Sequence, residues 1–160
     1  MTTARQEKTT LPPRPLIRTL WTIHRAIVRF SGGRIGLWRP RTGKRFGVMR
    51  LNTVGRLSGR PRMVILGYFE DGPNLVTLAM NGWADTEPAW WLNLRARPDV
   101  TVVLPTGSRA VHARASTGGE RERLWATLGD YPGWGDDIDG LAARRSMNTT
   151  AVVFDPRTTT

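Results

Sequence analysis

Residues 46–69 read "FGVMRLNTVGRLSGRPRMVILGYF" and hold two strand patterns joined by a turn rich in glycine and arginine. Residues 46–54 alternate between two sets of side chains, which is the period of a strand with one buried face. Residues 62–69 form a nearly continuous apolar run, as in a strand that is buried on both faces. The stretch therefore predicts two strands connected by the turn between them.

Four further strand patterns follow along the chain, and all of them are short. They cover residues 75–80, 100–104, 110–115 and 150–154. Turn residues join 62–69 to the first of them and the second to the third, which indicates hairpins. About six short, mostly antiparallel strands with helices between them predict an α+β fold built on a small β-barrel.

Two internal helices are predicted between the strands. Pro88 is expected at the first position of one helix, where its missing N–H costs nothing. Thr117 and Glu120 have the spacing of a capping box for the other helix, which is expected to end at Leu128. Residues 130–140 are expected to form a glycine-rich loop with short helical turns.

The length of 160 residues suits one domain with a sizeable core. We expect a disordered tail at 1–13, an N-terminal helix and basic loop at 14–45, the barrel domain at 46–156 and a second tail at 157–160. No apolar run reaches the length of a membrane span. The N-terminus lacks the pattern of a secretion signal, so we expect a cytoplasmic protein.

Positive charge is concentrated in the first part of the chain. The net charge is +11, and residues 1–62 hold 15 of the 24 Lys and Arg residues with a single acid, Glu7. Such a region attracts anions, whether a phosphorylated ligand, an anionic lipid surface or nucleic acid. In residues 14–30 an apolar stripe faces away from an arginine stripe, which suits a helix lying on the inner face of the plasma membrane. The alternative is that this apolar stripe covers one end of the barrel.

Several familiar catalytic and metal-binding motifs are absent. The turn 55–62 lacks the Gly-Lys-Ser/Thr end of a P-loop, and no G-x-G-x-x-G follows the first strand. Cysteine is absent, and the two histidines, His24 and His112, do not suggest a catalytic triad. Residues 136–140, "DDIDG", lack the full register of a calcium loop. The sequence therefore predicts no metal site.

The turn between the first two strands is the strongest candidate for an anion site. Gly55 and Gly59 permit positive φ and close backbone approach, and Ser58 offers a hydroxyl. Arginines make paired hydrogen bonds to phosphate and carboxylate groups. Three arginines stand here, namely Arg56, Arg60 and Arg62. The alternative is a solvated hairpin turn that merely carries arginines.

The second informative stretch begins at Asn81 and continues through the helix that starts near Pro88. Trp90 and Trp91 place large flat surfaces beside the exposed amides of the helix N-terminus. Such an end can receive an anionic or polar edge of a ligand. The alternative is that the tryptophans belong to the core.

Together the two stretches resemble the deazaflavin-dependent nitroreductase family, actinobacterial oxidoreductases with a split β-barrel, FMN-binding-like fold. The resemblance rests on T-x-G-R-x-S-G-x-P-R at residues 53–62 and on A-W-W-L-N-L-R-A-R-P-D-V-T-V at residues 89–102. It covers residues 46–156 and implies a barrel that binds coenzyme F420, a deazaflavin with a phosphate and a glutamate tail. FMN, the cofactor of other split barrels, is the alternative.

The resemblance also implies which residues hold the cofactor and the acceptor. The phosphate and tail would contact Arg56, Ser58, Arg60 and Arg62. The deazaflavin ring would be lined by Met80, Asn81, Gly82, Pro88, Ala89 and Trp90. The acceptor pocket would be lined by Trp90, Tyr131 and Trp134, with Tyr131 and Asp137 as candidate proton donors.

The resemblance implies hydride transfer from the reduced deazaflavin to a quinone-like or other flat oxidised acceptor. The family prototype has further tyrosines where this chain has Trp134 and Asp137, and this difference favours a quinone over a nitro compound. Two other functions stay open. One is a non-catalytic protein of the same fold that binds a lipid or another cofactor. The other, a nucleic-acid binder, is the least favoured because no binding motif accompanies the charge. We expect a monomer or a homodimer.

Overall fold

A closed barrel of six strands forms the centre of the computed structural model, which describes residues 36–134 and 137–158. The strands are β1 (Gly47–Val54), β2 (Pro61–Asp71), β3 (Asn74–Ala79), β4 (Asp99–Leu104), β5 (Gly107–Ala115) and β6 (Thr150–Pro156). They follow one another around the barrel in the order β1-β2-β3-β6-β5-β4, and every neighbouring pair is antiparallel. The predicted barrel of about six antiparallel strands is confirmed.

Three helices lie between the strands in the described residues. They are α1 (Ala89–Ala96), α2 (Gly118–Leu128) and α3 (Ile138–Ala143). The two predicted internal helices are α1 and α2, and α3 falls at the end of the predicted glycine-rich loop. The predicted tail at 1–13 and the predicted helix within 14–30 lie outside the described residues.

Two details of the predicted helix starts are wrong. Pro88 is the cap residue with extended backbone, φ −68° and ψ 140°, so the helix begins one residue later. Thr117 makes no capping hydrogen bond with its side chain. Glu120 binds Arg114 instead, at 2.7 and 2.9 Å, because a guanidinium attracts a carboxylate more strongly than a backbone amide does.

The second strand is buried on both faces, as its apolar run predicted. Leu66 and Tyr68 pack in the cluster inside the barrel. Ile65 and Phe69 belong to two separate outer clusters, one against the segment before β1 and one against α2 and residues 131–134. Because successive side chains point to opposite faces of a strand, a strand covered on both sides needs apolar residues at consecutive positions.

The directions of the strands bring the predicted site segments to one end of the barrel. Val54 pairs with Pro61 where β1 meets β2, and Ala79 pairs with Thr150 where β3 ends and β6 begins. We call this end of the barrel, with the β1–β2 turn and the loop 80–88, the site end. The β2–β3 and β4–β5 hairpins lie at the opposite end.

Candidate functional site

The β1–β2 turn is closed by two backbone hydrogen bonds, and a glycine takes part in each. The N–H of Gly55 donates to the Arg60 carbonyl at 2.9 Å, and the N–H of Gly59 donates to the Gly55 carbonyl at 2.8 Å. Gly59 has φ +65°, the left-handed region that favours glycine. A Cβ on Gly55 would stand 2.6 Å from the Ser58 hydroxyl oxygen. The shape of the turn therefore favours glycine at position 59, whereas a side chain at position 55 would force the Ser58 hydroxyl to move.

The three arginines of the turn are exposed and have no counterion in the part of the chain that the structure describes. They are Arg56, Arg60 and Arg62. By contrast, Arg114 and Arg123 hold carboxylates at 2.6–2.7 Å. Three unpaired guanidinium groups on one short turn create a local positive potential that suits a multiply charged anion. The donor set thus fits a ligand that carries phosphate and carboxylate groups.

Helix α1 is attached to this turn through a buried asparagine. The Oδ1 atom of Asn93 accepts a hydrogen bond from the N–H of Arg56 at 3.0 Å, and its Nδ2 atom donates to the Thr53 hydroxyl at 3.5 Å. Asn93 lies among the buried residues of α1 and is only 7% exposed. Sequence reasoning missed Asn93. The sequence feature that could have identified it is a polar residue among the apolar residues that form the buried face of the helix.

The buried side chain of Arg145 binds the backbone of the loop 80–88 between β3 and α1. Its guanidinium donates to the carbonyls of Ala79, Ala84 and Thr86 at 3.3, 3.0 and 3.2 Å. It also donates to the Thr149 hydroxyl at 2.6 Å. Sequence reasoning missed Arg145, because nothing local distinguishes it from the other arginines.

Two further contacts fix the exposed side of the same loop. The hydroxyl and backbone N–H of Ser146 donate to Asp85 Oδ1 at 2.7 and 2.6 Å and hold the pKa of that carboxyl below its ordinary value. Trp83 has φ +61°, an unusual conformation for a bulky side chain, and its Nε1–H donates to the Trp134 carbonyl at 3.2 Å. Strained residues of this kind cluster at functional sites.

The structure distributes the predicted ring-lining residues between the surface and the core. Asn81, Gly82 and Ala89 are exposed, Met80 is half-buried and Pro88 is buried. Trp90 is 7% exposed and packs with Trp91 in the cluster inside the barrel, where α1 closes the site end. The side chains of both tryptophans therefore belong to the core, while the exposed residues of the loop and of the helix start face solvent.

The predicted acceptor residues are not all brought together. Tyr131 and Trp134 pack in the outer cluster over β2, β3 and β6, whereas Trp90 lies inside the barrel. Tyr131 stacks on Phe69 with 5.4 Å between ring centroids. Phe69 is near the end of β2 that lies away from the site end, because β2 begins at the turn and runs away from it.

The two candidate proton donors border one open groove of about 460 Å³ between α2 and α3. The Tyr131 hydroxyl accepts a hydrogen bond from Thr42 at 3.3 Å. The Asp137 carboxylate accepts one from the N–H of Gly140 at 2.8 Å and thus caps α3. The structure therefore gives Asp137 a role in the local fold, and it leaves the Tyr131 hydroxyl able to donate its own proton.

Other expectations concern residues outside the predicted cofactor and acceptor sites. His112 is an exposed strand residue whose Nδ1 lies 2.7 Å from Asp99 Oδ1. Among the described residues no group of three or more His, Asp or Glu side chains is placed to hold a metal ion. None of the helices in the described ranges has the length and apolar content that a membrane crossing needs.

Comparisons with known proteins match this chain to one family. The model of the family described as "F420H(2)-dependent quinone reductase" matches residues 21–137. An F420H(2)-dependent quinone reductase of Mycobacterium tuberculosis H37Rv is 35% identical over 83 residues, which are 52% of this chain and 54% of the relative. The chain thus spans about half the length of that curated relative.

Two solved structures share the fold. One, described as a domain-swapped dimer, has a TM-score of 0.62 at 22% identity and covers 88% of this chain and 99% of its own. The other, an F420-H2 dependent reductase, has a TM-score of 0.59 at 23% identity and covers 72% of this chain and 98% of its own. At these identities the likeness shows the split-barrel fold alone.

Proposed function

Because the chain belongs to the F420H(2)-dependent quinone reductase family, we propose that it is an oxidoreductase that uses coenzyme F420 and reduces a quinone-like acceptor. The M. tuberculosis relative carries this activity in its name. The observation in the structure that best supports the proposal is the β1–β2 turn, whose three unpaired arginines suit the phosphate and glutamate tail of the cofactor.

In this proposal the turn binds and orients the anionic part of the cofactor. Arg56, Arg60 and Arg62 supply the charge, and Ser58 supplies a hydroxyl. The Ser58 oxygen already accepts from the N–H of Arg60 at 3.3 Å, which leaves its own proton free to donate. Asn93 holds the turn against α1, so the arginines are presented at a fixed distance from the helix start.

The ring-side site is the surface formed by the loop 80–88 and the start of α1. Gly82 has φ +58° and no atom within 4 Å of an added Cβ, so a flat ligand can approach its backbone closely. Asn81 and Ala89 are exposed near it in the chain, Met80 is half-buried, and Pro88 and Trp90 are buried. When bound, reduced coenzyme F420 supplies a hydride, and the protein supplies binding and orientation.

The acceptor site is proposed on the aromatic surface beside that loop. Trp83 joins the two segments, because its indole N–H reaches the Trp134 carbonyl. The rings of Tyr131 and Trp134 continue from there along the barrel but are only 9% and 5% exposed, so a flat quinone would meet their exposed edges. Tyr131 is the better candidate for holding a transferable proton, because Asp137 caps α3 with its carboxylate.

Self-association is a further part of the proposal. The neighbour described as a domain-swapped dimer supports a homodimer of this chain. Light scattering coupled to size exclusion tests it, and a mass of one chain at micromolar concentration would argue for the monomer.

A fluorescence titration with coenzyme F420 tests the function, with FMN titrated in parallel. We expect the wild type to bind F420 and to prefer it to FMN. Each charge-assisted hydrogen bond contributes about 1.5–3 kcal/mol, so Arg56→Ala/Arg62→Ala should lose at least roughly tenfold in affinity. Added salt should weaken the binding of the wild type.

Arg109→Ala is the matched control, because this arginine lies on β5 at the opposite end of the barrel. Its variant should bind F420 as the wild type does. Equal affinity of the double variant and the wild type would overturn the role of the turn. Binding of FMN with no binding of F420 would overturn the cofactor.

A further inference from the structure

We infer that Arg145 is the positioning residue of the loop 80–88, and that by fixing this loop it determines the affinity of the ring-side site. The first half of this inference stands on the geometry alone. The second half rests on the proposed function, because it concerns coenzyme F420 bound at the loop.

The guanidinium of Arg145 spans the loop from one end to the other. It reaches the carbonyl of Ala79 at the end of β3, that of Ala84 in the middle of the loop and that of Thr86 just before α1. A guanidinium is a rigid planar fork with five donors, so three carbonyls bound to it are fixed relative to one another. A lysine ammonium cannot reproduce this planar pattern.

The anchor of the guanidinium is the barrel itself. Thr149 precedes β6, and its hydroxyl accepts from Arg145 Nη1 at 2.6 Å. The next residue, Thr150, pairs with Ala79 in the β3–β6 register. Arg145 therefore connects the loop to the sheet. The same guanidinium also binds Thr86, which lies just before α1.

Arg145 is buried although no ion pair compensates its charge in the described residues. It is 7% exposed, and within the described ranges no carboxylate lies within 4 Å of its guanidinium. A buried cation is costly unless hydrogen bonds compensate it. Here the compensation comes from loop carbonyls, so removing the side chain deprives the loop of its partners as well as removing the charge.

Besides Arg145, the loop is held from outside by the hydrogen bonds from Ser146 to Asp85 and from Trp83 to Trp134. Between β3 and α1 the backbone bonds of the loop are short-range, such as that from Ala84 to the Asn81 carbonyl at 3.1 Å. Gly82 and Trp83 both have positive φ, at 58° and 61°. Two consecutive residues with positive φ are locally unfavourable, and surrounding contacts must compensate for them. Arg145 supplies two such contacts within the loop, to the carbonyls of Ala84 and Thr86.

Hydrogen exchange of the cofactor-free protein tests the first half of the inference. In Arg145→Met the amides of residues 80–87 should exchange at least roughly tenfold faster, because local opening of the loop becomes easier. The amides of the β1–β2 turn should exchange as in the wild type. Arg144→Met is the matched control, since Arg144 is the adjacent, exposed arginine. Unchanged exchange at 80–87 in a folded Arg145→Met would overturn the positioning role.

A titration with coenzyme F420 well below the unfolding transition tests the second half. Residues that orient a site indirectly typically change its affinity by roughly 10- to 100-fold, and we expect a loss in this range for Arg145→Met and a smaller one for Arg145→Lys. Millimolar guanidinium should restore part of the affinity of Arg145→Ala but not alter Arg144→Ala. If Arg145→Ala lost affinity only because the whole chain was destabilised, guanidinium would not restore the affinity of the folded molecules.

The two failures are distinguishable. If the wild type does not bind F420 but exchange at 80–87 accelerates in Arg145→Met, the proposed function is wrong and the positioning role holds. If the wild type binds F420 and a folded Arg145→Met binds it equally well, the link between Arg145 and the site is wrong.

Discussion

Asn93 accepts a hydrogen bond from the backbone N–H of Arg56 at 3.0 Å, although the two residues are 37 positions apart in the chain. This bond joins the middle of α1 to the arginine-rich turn. It brings together the two stretches that carry the family resemblance. The position of the turn relative to the helix therefore depends on a single buried amide.

Replacing that amide should affect both stability and binding. Asn93→Ala leaves the Arg56 N–H and the Thr53 hydroxyl without their partner, and we expect a loss of about 1–3 kcal/mol in the free energy of unfolding. Affinity for coenzyme F420 should fall as well, because the turn is no longer held against α1. Urea unfolding and the fluorescence titration measure the two effects. The exposed Asn148 supplies the control, and an Asn93→Ala protein as stable as Asn148→Ala would contradict the assignment.

The positive φ of Trp83 predicts an inversion of the usual order of alanine and glycine. Trp83→Ala and Trp83→Gly lose the same packing and the same bond to Trp134. Only glycine adopts φ near +61° without strain, so Trp83→Gly should be more stable than Trp83→Ala by about 1 kcal/mol. Urea unfolding of the pair gives the difference directly. If alanine is the more stable, the backbone at this position is not left-handed in solution.

Acid should weaken the fold partly through Glu120. Two hydrogen bonds from Arg114 hold the pKa of this carboxyl below its ordinary value of 4.5. A depressed pKa stabilises the folded chain above the unfolded value, and the contribution disappears as the pH falls through the folded pKa.

The matched pair for this effect is Glu120→Gln and Glu122→Gln, since Glu122 is exposed on the same helix. Glu120→Gln should be less stable than the wild type at pH 7, and the gap should close below pH 4.5. Glu122→Gln should follow the wild type throughout. Chemical unfolding at a series of pH values measures both, and a gap that stays constant down to pH 2 would rule out the linkage.

The replacement of tyrosines by Trp134 and Asp137 predicts the choice of acceptor. With fewer tyrosines the chain has fewer hydroxyl donors for a nitro group, whereas a quinone needs mainly a flat aromatic surface to stack on. Steady-state oxidation of the reduced cofactor by menadione should therefore be faster than by a bicyclic nitroimidazole. Faster turnover of the nitro compound would contradict this prediction.

The membrane prediction concerns residues 14–30, which lie outside the described residues. Each basic residue near an anionic surface contributes about 1 kcal/mol, so four arginines beside an apolar stripe are enough to decide between bound and free protein. Full-length protein should float with phosphatidylglycerol liposomes in low salt, and a chain that starts at Arg34 should not. Full-length protein that stays at the bottom of the gradient would refute the membrane prediction. An insoluble truncated chain would indicate that the helix packs on the barrel.

Local sequence patterns are sufficient to predict the barrel and the glycine- and arginine-rich turn between its first two strands. Alternation in residues 46–54, the continuous apolar run of 62–69 and the hairpin turns are local patterns, and strand burial follows directly from them. The glycines and arginines of residues 55–62 can likewise be recognised as a candidate anion site without a structure, because their chemistry is intrinsic to the residue types.

The polar residues that hold the β1–β2 turn and the loop 80–88 in place can be recognised only in the folded chain. Asn93 binds Arg56, 37 positions away, and Arg145 binds Ala79, 66 positions away. No local pattern records which distant group a buried polar side chain will meet. The same limit applies to Trp90, which was expected at the cofactor ring but packs inside the barrel, because the closure of the sheet sets which helix face is covered. Sequence periodicity specifies that a side chain is buried, and the three-dimensional arrangement of the strands specifies what it is buried against.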